Sequence, residues 1–435
     1  MGRRLRLLWV TAEPPLAWRS AAQERWRHLI RRFTPNHDVT LLTRTDGAGD
    51  AWQRDFDLTR LVTVPPPIAA PPDPLYMTPT PIRLVYTDGP LRARLAELLG
   101  SGDFDLVHYE YQEMMANAPA VPPIPTLLVV QQLEFLSDVP RGPLRRGLPR
   151  PWTLYRRMRN LDWELRALGK AHHVATMSAE DAARLRRFVP DLSTFVSPIG
   201  ADCRELCPMT PAPDPDCDVL FLANFRHPPN ADAARWLALD VVPRLPPGTR
   251  VRMVGREMPP ELDALLRTAG VEVGGPVHET RHVLARAAVV VAPVRFGTGM
   301  RGKVLEALAM GRPLVTTSIG AEGLGARDGT HLLLGDDPAQ FAAAVARLLR
   351  DPTFARRVGE AARSLAEERF DWNRIASDHE RIYETILSRP TVLPTMPRDR
   401  TALLARIARR LPAPWGGVLG AAVLAQRGLR WYLRT

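Results

Sequence analysis

Lysine is almost absent from this chain. Of 58 basic residues only Lys170 and Lys303 are lysines, and the remainder are arginines. Cysteine is as scarce. Cys203, Cys207 and Cys217 cannot build a disulfide framework and suit a reducing compartment. Cys203 and Cys207 lack a second ligand pair at zinc spacing, so they read as ordinary thiols. Long apolar runs are missing too. The longest are about ten residues, half the roughly 20 that a membrane-spanning helix needs. The opening "MGRRLRLLWVTAEPP" has a basic start, but its apolar core is only "LLWV" and no small-residue cleavage site follows. It reads as a first β-strand and not as a signal peptide. Glycine is lacking between Gly2 and Gly47, so the first β-strand and its turn carry no glycine fingerprint for a dinucleotide.

What is present is a globular composition, 45% apolar and 24% charged over 435 residues, a length that favours two domains. The net charge of +11 is uneven. Residues 391–435 hold eight arginines against one aspartate, a net +7 that leaves +4 for everything before them.

Short apolar strands alternate with helical patterns. The pattern predicts strands at 5–10, 39–43, 61–64, 105–111, 126–130, 172–178 and 194–198, with helices between them such as 21–33 and 157–169. A second series follows at 218–225, 251–255, 271–275, 289–294, 313–317 and 331–335. Near-continuous apolar strands separated by helices argue parallel sheets covered on both faces. "CPMTPAPDPDCD" (207–218) is proline-rich and acidic and reads as a linker. The expected division is 1–206, 207–372, a closing helix over 373–390 and a tail over 391–435. Ligands are expected at the carboxyl ends of the strands, in a cleft between the two halves. The segments 64–82 and 140–152 read as irregular loops, either plain connections or elements of substrate access.

One stretch carries most of the chemistry. "FGTGMRGKVLEALAMG" (296–311) follows the apolar run "AAVVVAPV". Gly297, Gly299 and Gly302 spell G-x-G-x-x-G between a strand and a helix. Taken alone, this is the dinucleotide fingerprint, and an NAD-dependent dehydrogenase is the reading it offers. Against it, the motif lies far from the first strand, and Glu322, about twenty residues on, falls after Gly320 and beyond the strand end where a ribose-binding acid belongs. The glycines let backbone approach a ligand, and the helix start offers N–H groups and a positive dipole end to an anion. Arg301 and Lys303 add two cations in that turn. Glu306, three residues after Lys303 on the same helix face, is placed to accept hydrogen bonds from a ribose. The residues spell a nucleoside diphosphate with its sugar; the bland alternative is a tight turn with an i,i+3 ion pair.

"FGTGMRGKVLEALAMGRPLVTTSIGAEGL" resembles the donor-binding segment of GT-B glycosyltransferases of the GT4 type. "VLFLANFRHPPNADAARWLALDVVPRL" resembles the first strand and helix of their C-terminal domain, and "VRMVGREMP" the next strand and its turn. "ATMSAEDAARL", "VSPIGADC" and "ERFDWNRIASDHERIYETIL" resemble further family segments in the same order. The resemblance implies an α/β fold of two Rossmann-like doubly wound domains facing a central cleft. It implies transfer from a nucleoside-diphosphate sugar, with retention of anomeric configuration, no metal and no cofactor. Arg226, Arg301 and Lys303 would meet the diphosphate, with Arg25, Asn224 and Gly255 also on the donor side. Glu306 would hold the ribose and Val277 and His278 would lie by the base. Thr298, Gly299 and Met300 would approach the transferred sugar. Glu134 matches the family's usual acid, while His108 and Gln131 fall on the acceptor side. Three positions depart from the pattern: Thr298 stands where many members have Glu, Ala21 and Ala22 where a glycine pair is usual, and Gln131 where His is common. A Gln is no general base. These departures carry a second reading, a catalytically impaired GT-B domain that binds sugar nucleotides or serves as a scaffold. From the residues alone, Glu134 also reads as a helix cap and His108 as a satisfied core histidine. His172 and His173 begin a strand and receive no role.

The tail "RTALLARIARRLPAPWGGVLGAAVLAQRGLRWYLRT" reads as two short helices whose arginines flank apolar and aromatic residues. That pattern suits an interfacial helix on anionic lipid, a docking arm, or helices packed on the body. The expected setting is cytoplasmic and peripheral on the inner face of a membrane, with nucleic acid excluded for want of a binding module. Capsule, lipid-linked glycan, glycolipid and small-molecule acceptors all fit.

Overall fold

The computed structural model describes residues 3–11, 21–45, 49–65, 89–137, 151–209, 215–277 and 279–396. Most of the two irregular loops, His278 and the tail beyond 396 lie outside the described residues. The chain divides into two compact units. The first comprises the described residues up to 197 together with those from His379 onward, and the second those from Pro198 to Asp378.

The first unit is built on a parallel sheet of β1 (Arg6–Val10), β2 (Asp38–Arg44), β3 (Arg60–Val64), β4 (Leu106–Glu110), β5 (Thr126–Val130), β6 (His173–Thr176) and β7 (Thr194–Val196). Their order is β3-β2-β1-β4-β5-β6-β7. Every residue of β4 and β5 is buried, as a strand covered on both faces requires. The helix Ala21–Phe33 turns Trp26, Leu29, Ile30 and Phe33 inward, the 3.6-residue period of a core-facing stripe.

The second unit repeats the plan with β8 (Cys217–Asn224), β9 (Val251–Arg256), β10 (Glu272–Gly274), β11 (Ala287–Ala292), β12 (Leu314–Thr316) and β13 (Leu333–Leu334), in the order β10-β9-β8-β11-β12-β13. Each unit has its own apolar core. In each sheet the order reverses beside the first strand, between β1 and β4 and between β8 and β11. That reversal opens a crevice at the carboxyl ends of the strands, where doubly wound sheets take their ligands.

The strands fall where apolar patterning predicts them, with ends shifted inward or outward by at most two residues. Parallel strands need helical crossovers, and the alternation in the sequence already carries them. Within the helix Trp372–Leu387 the chain leaves the second unit after Asp378 and rejoins the first at His379. The segment 391–396 is docked: the Thr395 amide donates to the Asp191 carboxylate at 2.9 Å, and Met396 packs on the first core.

Candidate functional site

The switch point of the second sheet gathers most of the predicted residues. After β11 the chain runs to Gly297 and Gly299, whose φ values of +108° and +76° few side-chain-bearing residues adopt. Arg301 folds back over this loop. Its guanidinium donates to the Thr298 carbonyl at 2.9 Å and to the Phe296 carbonyl at 3.5 Å. Thr298 itself is buried, and its Oγ1 has no hydrogen-bond partner among the described residues. Met300 is buried beside it. Arg301 is the extended residue before the helix Gly302–Ala309, so the helix begins one residue later than the sequence suggests. The Arg301 carbonyl takes the amides of Val304 and Leu305. Val304, Leu305, Leu308 and Ala309 face the core, which leaves Lys303 and Glu306 on the half-buried side.

Lys303 belongs to a hydrogen-bonded chain. Its Nζ donates to Asn230 Oδ1 at 2.6 Å and lies 5.3 Å from the centre of the Phe221 ring. Asn230 Nδ2 donates to the Asn224 carbonyl at 2.7 Å. Asn224 Nδ2 donates to Glu257 Oε2 at 2.8 Å, and Asn224 Oδ1 accepts the Arg226 amide at 2.9 Å. Arg226 is 79% exposed and reaches Glu257 Oε1 at 3.4 Å. Glu257 has a left-handed φ of +54°, a conformation a non-glycine residue adopts at a cost. Burial, reinforced by Arg301, pushes the Lys303 ammonium down to about 7, with Glu306 opposing. Partial desolvation, with Lys303 and Arg301 alongside, lowers the exposed His227 imidazole to about 4. Gly255 closes β9 where any Cβ would overlap the Ala223 carbonyl oxygen. Val277 is half-buried past β10, and His278 lies outside the described residues.

In the first unit the structure unites Arg25, His108 and Gln131, and it does so around Glu110. Arg25 has no exposed side-chain surface and grips both Glu110 oxygens, at 2.9 and 3.0 Å. Its other terminal nitrogen donates to Ser197 Oγ at 2.7 Å. His108 Nε2 meets Glu110 Oε2 at 2.8 Å and Nδ1 meets the Tyr383 hydroxyl at 2.7 Å, with the ring stacked on Trp9 at 3.7 Å. His108 is thus a satisfied core histidine. Gln131 donates its amide to Glu110 Oε1. Ser197 Oγ also bonds His379 Nδ1 at 2.8 Å. Burial alone would raise the Glu110 carboxyl, but the Arg25 charge, His108 and the Gln131 amide together outweigh it and hold the group below the usual carboxylate range.

Glu134 stands in a different network. It opens the short helix Glu134–Ser137, whose amides at Glu134 and Phe135 are capped by buried Glu164 at 2.6 and 3.3 Å. The Glu134 carboxylate takes the Gln132 amide. Burial, with Glu134 adding repulsion, pushes the Glu164 carboxyl well above its usual range.

Among the residues that escaped the sequence reading are Glu110, Asn230, Glu257 and Glu164. Glu110 carried a signal. It follows His108 by two in an otherwise apolar strand, so both side chains point to one face of the sheet. Asn230 sits behind two prolines that open the helix Pro228–Trp236. Glu257 and Glu164 gave no sign, because their partners are set by the fold.

Two parallel sheets in the same order, each with charged residues at its switch point, define the class: the two Rossmann-like domains of the GT-B fold. Residues 216–351 match the family model of glycosyl transferases group 1. A D-inositol 3-phosphate glycosyltransferase of Frankia alni is 30% identical over 227 residues, 46% of this chain and 54% of that one. A phosphatidyl-myo-inositol mannosyltransferase of Mycobacterium leprae is 29% identical over 39% of this chain and 46% of its own length. The chain thus spans about half the length of the curated relatives it matches. Among solved structures, sucrose-phosphate synthase from Thermosynechococcus elongatus superposes with a TM-score of 0.69 at 18% identity, over 88% of this chain and all of that one. The Anabaena HepE protein in complex with UDP gives 0.63 at 15% identity over the same shares. At these identities the likeness speaks for the fold.

Proposed function

We propose that the chain is a glycosyltransferase that moves a sugar from a nucleoside-diphosphate sugar to a glycan, lipid-linked or small-molecule acceptor. The observation that carries this reading is the loop at Gly297 and Gly299. It brings Arg301, Lys303 and a helix start to one place, with the Thr298 hydroxyl buried beside them and without a partner among the described residues. The family match over 216–351 supports it. Arg226, Arg301, Lys303 and the helix dipole would offset the charge that develops on the departing diphosphate, so transfer proceeds without a metal. Glu306 would take the ribose hydroxyls, Thr298 would meet the transferred sugar, and Glu134 would act on the acceptor side. Transfer retains anomeric configuration. The relatives named for inositol phosphates suggest a polyol or lipid-linked polyol acceptor. The basic tail would bring the enzyme to anionic lipid, which co-sedimentation of the full chain with phosphatidylglycerol vesicles tests.

The deciding experiment is product release from a panel of UDP-, GDP- and ADP-sugars with purified protein. Lys303→Ala and Glu306→Ala should each lower turnover by about 100-fold or more, and excess EDTA should leave it unchanged. Full turnover in both variants would refute the site. Tight binding of a sugar nucleotide with no hydrolysis or transfer would favour the second reading, an impaired binding domain. The Thr298, Ala21, Ala22 and Gln131 departures motivate it.

A further inference from the structure

The second unit half-buries a cation that, among the described residues, has no counter-charge within hydrogen-bond reach. Among the described residues, the hydrogen-bond acceptor of Lys303 is the neutral Asn230 Oδ1 at 2.6 Å. The groups around it are Phe221 on β8, Arg301 in the loop, His227 before the helix Pro228–Trp236, and Glu306 on its own helix. Asn230 is itself buried, and its amide is committed to the Asn224 carbonyl. An amide anchored in this way cannot turn, so its oxygen stays aimed at Lys303. Asn224 then continues to Glu257 and Arg226. Two of the three cations proposed for the diphosphate, Lys303 and Arg226, are thus joined by one set of hydrogen bonds.

We propose that Asn230 is a positioning residue that holds Lys303 poised for an anion, so that binding of a nucleoside diphosphate is accompanied by uptake of a proton at Lys303 Nζ. The inference rests on the reading of this loop as a diphosphate site. Its physical basis is the choice of a neutral acceptor. A carboxylate at 230 would fix the ammonium charge before any ligand arrived. An apolar residue would leave the ammonium in a desolvated place with neither charge nor dipole to meet it. The amide lies between, and the incoming diphosphate completes the stabilisation. The position of the Lys303 ammonium near 7 agrees with this balance. The proton comes from solvent, and no bond other than N–H forms.

The chain's two lysines make the test direct. Protein labelled with ¹³Cε-lysine gives two side-chain signals, assigned with Lys170→Arg. The Lys303 signal is followed against pH in wild type, Asn230→Asp and Asn230→Ala, each with and without saturating UDP, GDP or ADP. In the free protein Lys303 should titrate near 7 in wild type, at least one pH unit higher in Asn230→Asp and lower in Asn230→Ala. Asn230→Ala should also weaken the bound nucleotide about tenfold. Ligand should move the wild-type titration upward, and calorimetry in two buffers of different ionisation heat should register net proton uptake at pH 7.5. Identical Lys303 titration in the three free proteins overturns the role of Asn230 whether or not nucleotide binds. Shifted titrations in the free proteins, with none of the three nucleotides bound, overturn the diphosphate reading and with it the proton coupling. Binding without proton uptake overturns the coupling alone.

Discussion

Each switch point holds a cation drawn into the protein, Arg25 buried and Lys303 half-buried, and the two treat it in opposite ways. At β1/β4, Arg25 is sealed from solvent against Glu110, with Ser197 and the His108–Tyr383 pair completing the set. At β8/β11, Lys303 has a neutral amide and an aromatic face. A permanently charged guanidinium suits a fixed ion pair; an ammonium whose proton can leave suits a site that waits for charge. The same fold has thus made one switch point a lock and the other a receptor. The pH signs differ accordingly. The Lys303 amine binds protons less readily folded than unfolded, so its cost is full below about 7 and is relieved as pH rises toward the unfolded value.

The strongest way to break the comparison is to remove the counter-charge of the lock. Glu110→Ala leaves Arg25 buried without its carboxylate, and breaking such a pair costs about 3–5 kcal/mol. Urea denaturation should show this loss. A cost under about 1 kcal/mol would mean that Arg25 escapes to water and that the lock is loose. Acid reaches the same cluster by another route. Burial lowers both His108 and His379 below the ordinary 6.5, so the unfolded chain binds more protons than the folded one below that pH. Stability should fall as pH drops from 7 toward 5. It should fall further below the carboxylate range, where the depressed Glu110 is protonated. A thermal midpoint that is flat from pH 7 to 5 would contradict the buried, neutral state of these histidines.

The contrast was only half legible in the sequence. The fold was open to reading because apolar strand runs and helical periodicity are local, and a parallel sheet leaves little choice of which residues face inward. The donor loop was legible for the same reason: Gly297, Gly299, Arg301, Lys303 and Glu306 lie within ten residues, and their spacing on a loop and one helix turn determines their geometry. The first network was not. Arg25, Glu110, Ser197 and Tyr383 lie on four separate elements, and only the sheet order brings them together. By resemblance Arg25 stood on the donor side, whereas both of its terminal nitrogens are engaged within its own unit. Asn230 was likewise invisible, since an asparagine after two prolines suits many turns.

A smaller perturbation sharpens the lock. Ser197 Oγ links Arg25 to His379, so Ser197→Ala leaves one guanidinium N–H and one imidazole nitrogen without that partner. The expected cost is about 1–3 kcal/mol by denaturation, less than for Glu110 because the charge pair survives. Equal costs for the two variants would make the hydroxyl, and not the carboxylate, the centre of the network.

The mildest change should separate stability from binding at the receptor. Gly297 has φ +108°, and a Cβ there would lie 3.0 Å from Arg301 Nη2. Gly297→Ala therefore strains the backbone and displaces a guanidinium that holds the loop carbonyls of Thr298 and Phe296. The loop lies outside the sheet, so the cost in stability should be about 1–2 kcal/mol. Arg301 also depresses the Lys303 ammonium, so moving it away should raise the Lys303 titration while weakening nucleotide binding. A lock would not respond in this way, since in the Arg25 cluster every loss of a partner reads out as loss of fold. Nucleotide affinity is measured by calorimetry and the Lys303 signal by ¹³C spectra on the same sample. An unchanged affinity with a lowered thermal midpoint would place Gly297 among the residues that merely build the sheet's edge.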